Sequence, residues 1–342
     1  MPTDLDAPAA SVVVPTRGRL PYLEVALASI APQAAAAGAE LIVVDDAGGS
    51  QAALALCERH GARYLPHPSA LGLNHARNTG VAGSSGELVV FVDDDVEVRD
   101  GWLPALLAAA RSHPKTDVFT GPVRPRLEGS PPRSCGREPA PITALDLGER
   151  DAPCRFAWGA NMAIRRAAFE RVGPFEVRLE NGGDEQEWQE RLQVVPGRTA
   201  LYVAGAALDH RRDVEDSRLW ALCRAAFARG QAARRFDGWR RRQPPMRREL
   251  QTLLGCVGHV VRRRCPAGLT MVAHSTGRLT VTVRERCAAI FTRTPPLPKR
   301  IRPTASSTSS QSNRSTVSLP SRRLRFSNLP AVPASARRSA TR

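Results

Sequence analysis

Three consecutive carboxylates, Asp93, Asp94 and Asp95, follow the apolar run Leu88–Val92. The run is rich in β-branched and aromatic side chains, which predicts a β-strand that is buried on both faces. Adjacent carboxylates repel one another unless a cation binds them or their pKa values rise. Oxygen ligands without a neighbouring cluster of cysteines or histidines suit a hard divalent ion, so the triplet predicts a site for Mg²⁺ or Mn²⁺.

The spacing of the triplet indicates which carboxylates would act together. Side chains two residues apart in an extended segment point to the same side, so we expect Asp93 and Asp95 to face a metal–phosphate complex and Asp94 to face away. The alternative is an acidic turn that precedes a helix starting near Trp102.

Short apolar runs alternate with helical patterns along the first two thirds of the chain. Buried strands are predicted at residues 11–15, 41–44, 62–65, 88–92, 118–120 and 200–203. Helices are predicted at residues 20–30, 51–60, 74–81, 102–111, 163–171, 184–192, 216–236 and 246–264. This alternation is typical of a doubly wound α/β fold with a mostly parallel sheet, whose strands end at a common ligand-binding edge.

The composition divides the chain into segments of different character. We expect a flexible N-terminus at 1–10, an α/β domain at 11–240, a helical extension at 241–294 and a disordered basic tail rich in Ser, Pro and Arg at 295–342. Residues 121–155, rich in Pro, Gly and Arg, are predicted to form a long loop.

Charge is distributed unevenly between the two parts of the chain. Residues 1–210 carry 20 Lys or Arg against 27 Asp or Glu, a formal charge of −7, whereas residues 211–342 carry 29 against 6, a charge of +23. A basic C-terminal third could contact nucleic acid or an anionic membrane, or it could simply be solvated. Few aromatic side chains are interleaved with its arginines, which disfavours nucleic acid.

The seven cysteines are scattered and form no Cys-x-x-Cys pair. This spacing argues against a disulfide framework and against a zinc site, and it favours a reducing compartment. No run reaches the roughly 20 apolar residues that span a bilayer, and the N-terminus lacks the layout of a signal peptide. We therefore expect a cytoplasmic protein, for which peripheral contact with the inner face of the membrane is an open alternative.

Charged groups follow several of the predicted strands: Asp45, Asp46, Arg77, Asp184 and Glu185 in addition to the triplet. Carboxylates at such an edge can accept hydrogen bonds from a nucleotide's base or ribose while a metal ion binds its diphosphate. Neither the P-loop pattern nor the dinucleotide-binding glycine pattern is present.

Six motifs in this order resemble family 2 glycosyltransferases of the GT-A fold, and the resemblance covers about residues 10–240. They are Val-Val-Val-Pro-Thr-Arg-Gly-Arg (12–19), Ile-Val-Val-Asp-Asp-Ala-Gly (42–48), Leu-Gly-Leu-Asn-His-Ala-Arg-Asn-Thr-Gly (71–80), Gly-Glu-Leu-Val-Val-Phe-Val-Asp-Asp-Asp (86–95), Trp-Gly-Ala-Asn-Met-Ala-Ile-Arg-Arg (158–166) and Gly-Gly-Asp-Glu-Gln-Glu-Trp-Gln-Glu-Arg-Leu (182–192). The resemblance implies a Rossmann-like central sheet flanked by helices. It also implies inverting, Mn²⁺- or Mg²⁺-dependent transfer of a sugar from a nucleotide-diphosphate donor to a hydroxyl acceptor, as in cell-wall or polysaccharide biosynthesis.

The resemblance also implies roles for the residues that bind the donor. Thr16 and Asp46 match positions that contact the nucleoside, and Arg77 matches an arginine near the base or the phosphates; a helix-surface arginine is the alternative. Asp93 matches the acid on the ribose side of the Asp-x-Asp motif and Asp95 the metal ligand, and Asp94 could replace either.

Further roles concern catalysis and the donor sugar. The general base matches Glu185 by its spacing from Arg191, but the order Asp-Glu leaves Asp184 as an alternative. The loop with Gly159 and Asn161 resembles the one that flanks the donor sugar. His210 could complete the metal site or contact the diphosphate, or it could be structural.

Two other functions remain open at this point. A sugar nucleotidyltransferase also uses an α/β sheet and acidic metal ligands, although Pro15-Thr16-Arg17-Gly18-Arg19 is only a faint version of its phosphate loop. A non-catalytic nucleic-acid-binding protein would use the basic C-terminal third. The acceptor could be a lipid-linked glycan, a polysaccharide or a small molecule.

Overall fold

The computed structural model describes residues 8–139, 141–179, 182–193 and 200–291. Its strands are β1 (Ala10–Thr16), β2 (Glu40–Asp45), β3 (Arg63–Pro66), β4 (Leu88–Val92), β5 (Val96–Val98), β6 (Val118–Thr120), β7 (Val123–Leu127), β8 (Ala152–Cys154), β9 (Asn161–Arg165), β10 (Ala200–Tyr202) and β11 (Leu208–Arg212). Its α-helices are α1 (Leu20–Ala36), α2 (Gln51–Arg59), α3 (Leu73–Ala82), α4 (Trp102–Ser112), α5 (Arg166–Val172), α6 (Asp184–Leu192), α7 (Leu219–Trp239), α8 (Met246–Arg263) and α9 (Leu269–Phe291). The predicted tail at 295–342 and most of the N-terminal segment 1–10 lie outside the described residues.

Among the described residues, eight strands form the main sheet in the order β3-β2-β1-β4-β9-β6-β10-β8. Strands β3, β2, β1 and β4 run parallel, β9 is antiparallel to β4 and β6, β10 is parallel to β6, and β8 is antiparallel to β10. The predicted α/β fold with a mostly parallel sheet and flanking helices is confirmed. Since β1 and β4 are parallel, Thr16 and the acidic triplet lie at the same edge.

A second sheet brings a distant histidine to this edge. It has the order β5-β11-β7, and β11 pairs antiparallel with β5 so that His210 lies opposite Val96. The backbone N–H of Arg211 also donates to the carbonyl oxygen of Asp95 at 2.7 Å. His210 therefore lies within strand β11.

Apolar residues cover both faces of the main sheet. On one face, Val12 and Val14 of β1 pack with α1 and α4; on the other, Val13 packs with α3 and α6. Phe91, Phe169, Phe175 and Trp188 form an aromatic cluster on the second face, with Phe91 and Phe175 edge to face at 5.5 Å. Because Phe91 precedes the acidic triplet and Trp188 belongs to α6, this cluster fixes the triplet relative to α6.

The structure corrects two of the predicted elements. Residues 163–171 were expected to be helical, but 161–165 form strand β9 and only 166–172 are helical. Short apolar runs do not distinguish strand from helix, and here the pairing with β4 and β6 decides. The segment 121–155 was expected to be a loop, yet it contains β7 and β8.

The last three helices pack tightly against one another. Arg278 of α9 pairs with Asp237 of α7 and with Glu249 of α8, each at 2.7 Å. Helices α8 and α9 form the predicted extension, and the domain boundary at 240 stays a prediction. Among the described residues, no helix is both long and apolar enough to cross a membrane.

The close approach of α7 and α9 depends on two glycines. A Cβ atom at Gly230 would lie 2.0 Å from the carbonyl oxygen of His274, and one at Gly277 would lie 2.1 Å from that of Phe227. These contacts are with rigid helical backbone, so neither position can accept a side chain without separating the helices.

We predict that Gly230→Ala and Gly277→Ala each lower the free energy of unfolding by about 1–3 kcal/mol, because overpacking forces the two helices apart. Gly258→Ala in α8 is the matched control, since its Cβ would meet no atom within 4 Å. We expect the control to stabilise the protein by up to about 1 kcal/mol through helix propensity. Urea denaturation measures the free energy of unfolding of all three variants. A stabilised Gly230→Ala or Gly277→Ala variant would contradict the close packing of α7 against α9.

Candidate active site

Asp94 connects the ends of β1 and β4. Its Oδ2 accepts a hydrogen bond from the Thr16 hydroxyl at 2.6 Å, and both of its oxygens face the guanidinium of Arg19. Burial and the nearby charges of Asp95 and Asp93 raise the pKa of Asp94 to about 6, against the opposing effect of Arg19. The carboxyl of Asp94 and the hydroxyl of Thr16 therefore hold each other inside the protein.

Asp95 has one oxygen in ion pairs and one without a hydrogen bond. Its Oδ2 pairs with Arg19 at 3.0 Å and also with Arg212. Its Oδ1 is buried and accepts no hydrogen bond from any residue that the structure describes, although Nε2 of His210 lies 3.2 Å away. Burial raises the pKa of Asp95, but His210 and the two guanidinium groups outweigh burial and hold it well below its usual range.

The ring orientation of His210 is set by Nδ1, the nitrogen that does not face Asp95. Nδ1 lies 3.2 Å from the carbonyl oxygen of Thr143, which can only accept, so Nδ1 carries the hydrogen. In the neutral imidazole, the lone pair of Nε2 is then directed toward the acids. The possible ligand atoms of Asp93, Asp95 and His210 all lie within 4.8 Å of one another. Two carboxylates and one imidazole fit a divalent cation.

Arg77 is buried between the sheet edge and α6. Its side chain is 1% exposed, its Nη1 pairs with Asp184, and its Nη2 lies 3.1 Å from Oε1 of Glu185. The guanidinium also lies over the ring of Phe175, 5.7 Å from its centroid. The alternative of a helix-surface arginine is wrong, because α3 directs this side chain inward.

Asp184 and Glu185 begin α6, where the helix dipole favours negative charge. The side chain of Asp184 is 3% exposed and that of Glu185 is 14% exposed. Burial and the charge of Glu185 raise the pKa of Asp184 to about 7. Burial also acts to raise the pKa of Glu185, but Arg77 and hydrogen bonds lower it overall. Glu185 is therefore the more accessible and the more readily ionised of the two acids.

Gly159 has no side chain, and Arg77 and Glu185 occupy the space in which one would lie. Its backbone N–H donates to Oε1 of Glu185 at 3.2 Å. A Cβ atom at this position would lie 2.0 Å from Nη2 of Arg77 and 2.4 Å from Oε1 of Glu185. Any side chain at residue 159 would displace the arginine or the acid.

Asn161 was expected beside the donor sugar, but the structure places its side chain in the core. The residue is fully buried, its Oδ1 accepts from the indole N–H of Trp102 at 3.0 Å, and its Nδ2 donates to the carbonyl oxygen of Ala206 at 2.8 Å. The amide therefore joins β9 to α4 and to the segment before β11, and it is not available to a ligand.

Asp46 was expected to contact the nucleoside, but its carboxylate is engaged by the loop before α3. Oδ1 faces Nδ1 of His67 at 2.8 Å and accepts from the N–H of Leu71 at 2.7 Å, and Oδ2 accepts from the N–H of Gly72 at 2.9 Å. Asp46 therefore orders this loop. The carboxylate of its neighbour Asp45 accepts hydrogen bonds from the N–H of Ala47 and the hydroxyl of Tyr64.

Sequence reasoning missed two arginines at the acidic edge. Arg19, whose side chain is 41% exposed, bridges Asp94 and Asp95, and Arg212, at 17%, pairs with Asp95. Arg19 lies in the Thr-Arg-Gly-Arg motif after β1, which was a usable signal. Arg212 had no such signal beyond its position two residues after His210.

Comparison with known proteins agrees with this architecture. Residues 11–173 match the model of glycosyl transferase family 2. The chain is 32% identical over 243 residues to the pre-mycofactocin glycosyltransferase of Mycobacterium tuberculosis, covering 65% of this chain and 46% of that protein. It is 22% identical over 149 residues to the glucosyl-dolichyl phosphate glucuronosyltransferase of Haloferax volcanii, covering 41% of this chain and 48% of that protein. The chain thus spans less than half the length of these two relatives.

A solved structure shows the same fold. The structure of GalNAc-T7 with UDP, GalNAc and Mn²⁺ superposes with a TM-score of 0.50 at 16% identity, covering 86% of this chain and 60% of that one. The matched family model, the curated relatives and the shared fold agree with the motifs that the sequence presented. Residues 11–173 therefore form a glycosyltransferase family 2 domain, and the chain has the GT-A fold.

Proposed function

We propose that this protein is an inverting, metal-dependent glycosyltransferase that moves a sugar from a nucleotide-diphosphate donor to a hydroxyl acceptor. The observation that carries the proposal is the convergence of Asp93, Asp95 and His210, whose possible ligand atoms all lie within 4.8 Å of one another. Oδ1 of Asp95 is buried beside Nε2 of His210, and a cation bound there would compensate the buried negative charge.

Two groups of acids, joined by one buried arginine, would divide the work. Asp93, Asp95 and His210 would hold Mn²⁺ or Mg²⁺, which when bound supplies Lewis-acid stabilisation of the leaving diphosphate worth several kcal/mol. Asp184 and Glu185 form the second group, and the charge of Arg77 acts on both Asp93 and Glu185. Arg19 and Arg212 add positive charge beside the diphosphate.

Glu185 is the general base in this proposal. It takes the proton of the acceptor hydroxyl, whose oxygen forms a bond to the anomeric carbon. The bond from that carbon to the donor diphosphate breaks as this happens, and its electron pair stays on the diphosphate. Attack on the face opposite the leaving group inverts the configuration. Asp184 and the N–H of Gly159 keep Arg77 and Glu185 in place.

The remaining residues predicted to bind the donor would do so indirectly, by fixing the backbone segments around it. Asp46 fixes the loop at residues 67–72, and Thr16 with Asp94 fixes the end of β1. In this proposal these segments form the nucleoside edge of the site, and Gly159 flanks the sugar. Asn161 positions Gly159 from within the core.

Helix α8 supports an additional proposal, contact with an anionic membrane. Its Leu250, Leu254, Val257 and Val261 are exposed and lie on one face, with Leu254 at 70% and Val261 at 71%. Exposed arginines flank this face at both ends of the helix: Arg247, Arg248, Arg262, Arg263 and Arg264. An apolar face between basic ends is typical of helices that lie in the interface of an anionic bilayer. Such contact suits a lipid-linked acceptor, and the Haloferax volcanii relative includes a dolichyl phosphate in its name.

We predict that Asp95→Asn lowers Mn²⁺ affinity at least about tenfold, a loss of about 1.4 kcal/mol, and lowers sugar transfer to below about one hundredth, because the metal site loses one of its two carboxylate ligands. Calorimetric Mn²⁺ titration and the release of nucleoside diphosphate from a panel of nucleotide sugars measure the two effects. Asp209→Asn is the control, since Asp209 adjoins His210 but pairs with Arg99 at the surface. Near wild-type transfer in Asp95→Asn would refute the metal assignment, and release of pyrophosphate would indicate a nucleotidyltransferase.

We predict that the pH profile of kcat/KM identifies the base. A base must be deprotonated, so with Glu185 in this role, and its pKa below the ordinary value of about 4.3, the base causes no fall in rate between neutral and mildly acid pH when the metal is saturating. With Asp184 as the base, the rate would fall as the pH drops through about 7.

Paired substitutions give a second test of the same assignment. Glu185→Gln should reduce kcat by about 10²–10⁴-fold, and Asp184→Asn should reduce it by less than about tenfold. The opposite ranking would transfer the role to Asp184.

We predict that Leu254→Glu combined with Val261→Glu abolishes sedimentation with anionic lipid vesicles, because the apolar face of α8 then repels the bilayer. Binding of the wild-type protein should weaken as salt is added, since the flanking arginines contribute electrostatically. Leu147→Glu is the control, an exposed leucine outside α8. Unchanged binding by the double variant would exclude this face as the membrane contact.

A further inference from the structure

A second cluster of metal-ligating side chains lies outside the candidate active site. It consists of Cys135 and Glu138 in the segment between β7 and β8, His259 in α8, and Cys265 just after α8. Their possible ligand atoms all lie within 4.8 Å of one another. Sγ of Cys135 is 3.1 Å from Oε2 of Glu138 and 3.4 Å from Nε2 of His259.

We propose that these four residues bind one Zn²⁺ ion as a structural site. Two thiolates, an imidazole and a carboxylate form a complete tetrahedral ligand set, and sulfur ligands favour zinc over magnesium or manganese. Tetrahedral zinc with its usual bond lengths places neighbouring ligand atoms about 3.5 Å apart. The observed separations from Cys135 are close to this spacing, so small side-chain shifts complete the site.

The interior of the cluster contains a polar atom without a partner. Oε1 of Glu138 is buried and accepts no hydrogen bond from the residues that the structure describes. Cys265 is also buried, with 2% of its surface exposed. A buried carboxylate oxygen that accepts no hydrogen bond is free to bind a cation. This observation, independent of the ligand spacing, points to a bound ion.

The backbone holds the two halves of the site together. The N–H of Ala267 donates to the carbonyl oxygen of Arg133 at 3.2 Å, and the guanidinium of Arg133 donates to the carbonyl oxygen of Arg264 at 2.9 Å. Arg264 has a left-handed conformation, φ 47°, which turns the chain back after α8. Gly268 lies against the imidazole, since a Cβ atom there would be 3.0 Å from Cδ2 of His259.

The zinc ion would connect the proposed membrane-contact helix to a segment that supports the candidate active site. It would join α8, with its exposed apolar face, to the segment that contains Cys135. That segment leads on to Thr143, whose carbonyl oxygen orients His210, and to Pro141, whose carbonyl oxygen accepts from Arg229. The sites differ in chemistry: oxygen ligands dominate the first, and sulfur distinguishes the second.

Metal content of the full chain tests this proposal directly. The protein is purified under reducing conditions without a metal-affinity column, incubated with Zn²⁺ and freed of excess ion. Mass spectrometry for metals should then find about one zinc per chain. Cys135→Ser, His259→Ala and Cys265→Ser should each lose most of it. Cys287→Ser, at an exposed cysteine of α9, should keep it, and Asp95→Asn should keep it as well, which separates this site from the proposed catalytic metal.

A second measurement uses the wild-type chain and so does not depend on the folding of variants. Co²⁺ in place of Zn²⁺ should give intense visible bands of a tetrahedral ion and a thiolate charge-transfer band. A chelator should remove these bands and expose two additional cysteines to thiol labelling. Absence of bound zinc after reconstitution, equal zinc in the three ligand variants, or a Cys135–Cys265 disulfide in the reduced preparation would each overturn the proposal.

Discussion

The buried charge of Arg77 is the constraint on which the candidate site depends. A guanidinium that is 1% exposed needs negative partners, and α6 supplies Asp184 and Glu185 at its first turn. Removing one partner of a buried ion pair costs about 3–5 kcal/mol, so α3 and α6 are strongly coupled in position. The aromatic cluster acts in the same direction, since Phe175 lies under Arg77 and Trp188 belongs to α6. The acids of the proposed base and the acids of the proposed metal site are thereby held at one edge of the sheet.

The acidic triplet is accommodated by a similar balance. Asp94 pairs with Arg19, and Asp95 pairs with Arg19 and Arg212. For Asp93, burial and the charge of Asp95 raise the pKa in spite of the nearby charge of Arg77. Without these cations, three adjacent carboxylates at the end of a buried strand would repel one another strongly. Oδ1 of Asp95 is buried and lies 3.2 Å from Nε2 of His210. Buried negative charge at this edge of the sheet is therefore concentrated between Asp93, Asp95 and His210.

Local sequence signals predicted most of the sheet and the edge where the acids gather. Continuous apolar runs predicted β1, β2 and β4, as expected for parallel strands that are covered on both faces. Contacts between distant residues could not be predicted in this way. Asn161 accepts a hydrogen bond from Trp102, which is 59 residues away in the sequence. A motif residue that was expected beside the donor sugar is therefore part of the core. Asp46 is engaged by a loop whose conformation no pattern encodes.

The cysteine cluster illustrates the same limit. Cys135 and His259 are 124 residues apart, and the spacing of the cysteines had argued against zinc because it contains no local pair. Only the packing of α8 against the segment before β8 brings the ligands together. The glycines of α7 and α9 show the same limit. From the sequence alone, a glycine within a helix is expected only to destabilise it, and its role in close packing is seen once the neighbouring helix is known.

Pulsed electron paramagnetic resonance of the protein with Mn²⁺ and a nucleoside diphosphate tests the central claim most directly. The nuclei that couple to the manganese report its ligands without any need for the acceptor. We expect a ¹⁴N coupling from one imidazole, which is lost in His210→Ala, together with ³¹P couplings from the diphosphate. A manganese ion that shows neither coupling, or that retains the nitrogen signal in His210→Ala, would contradict it.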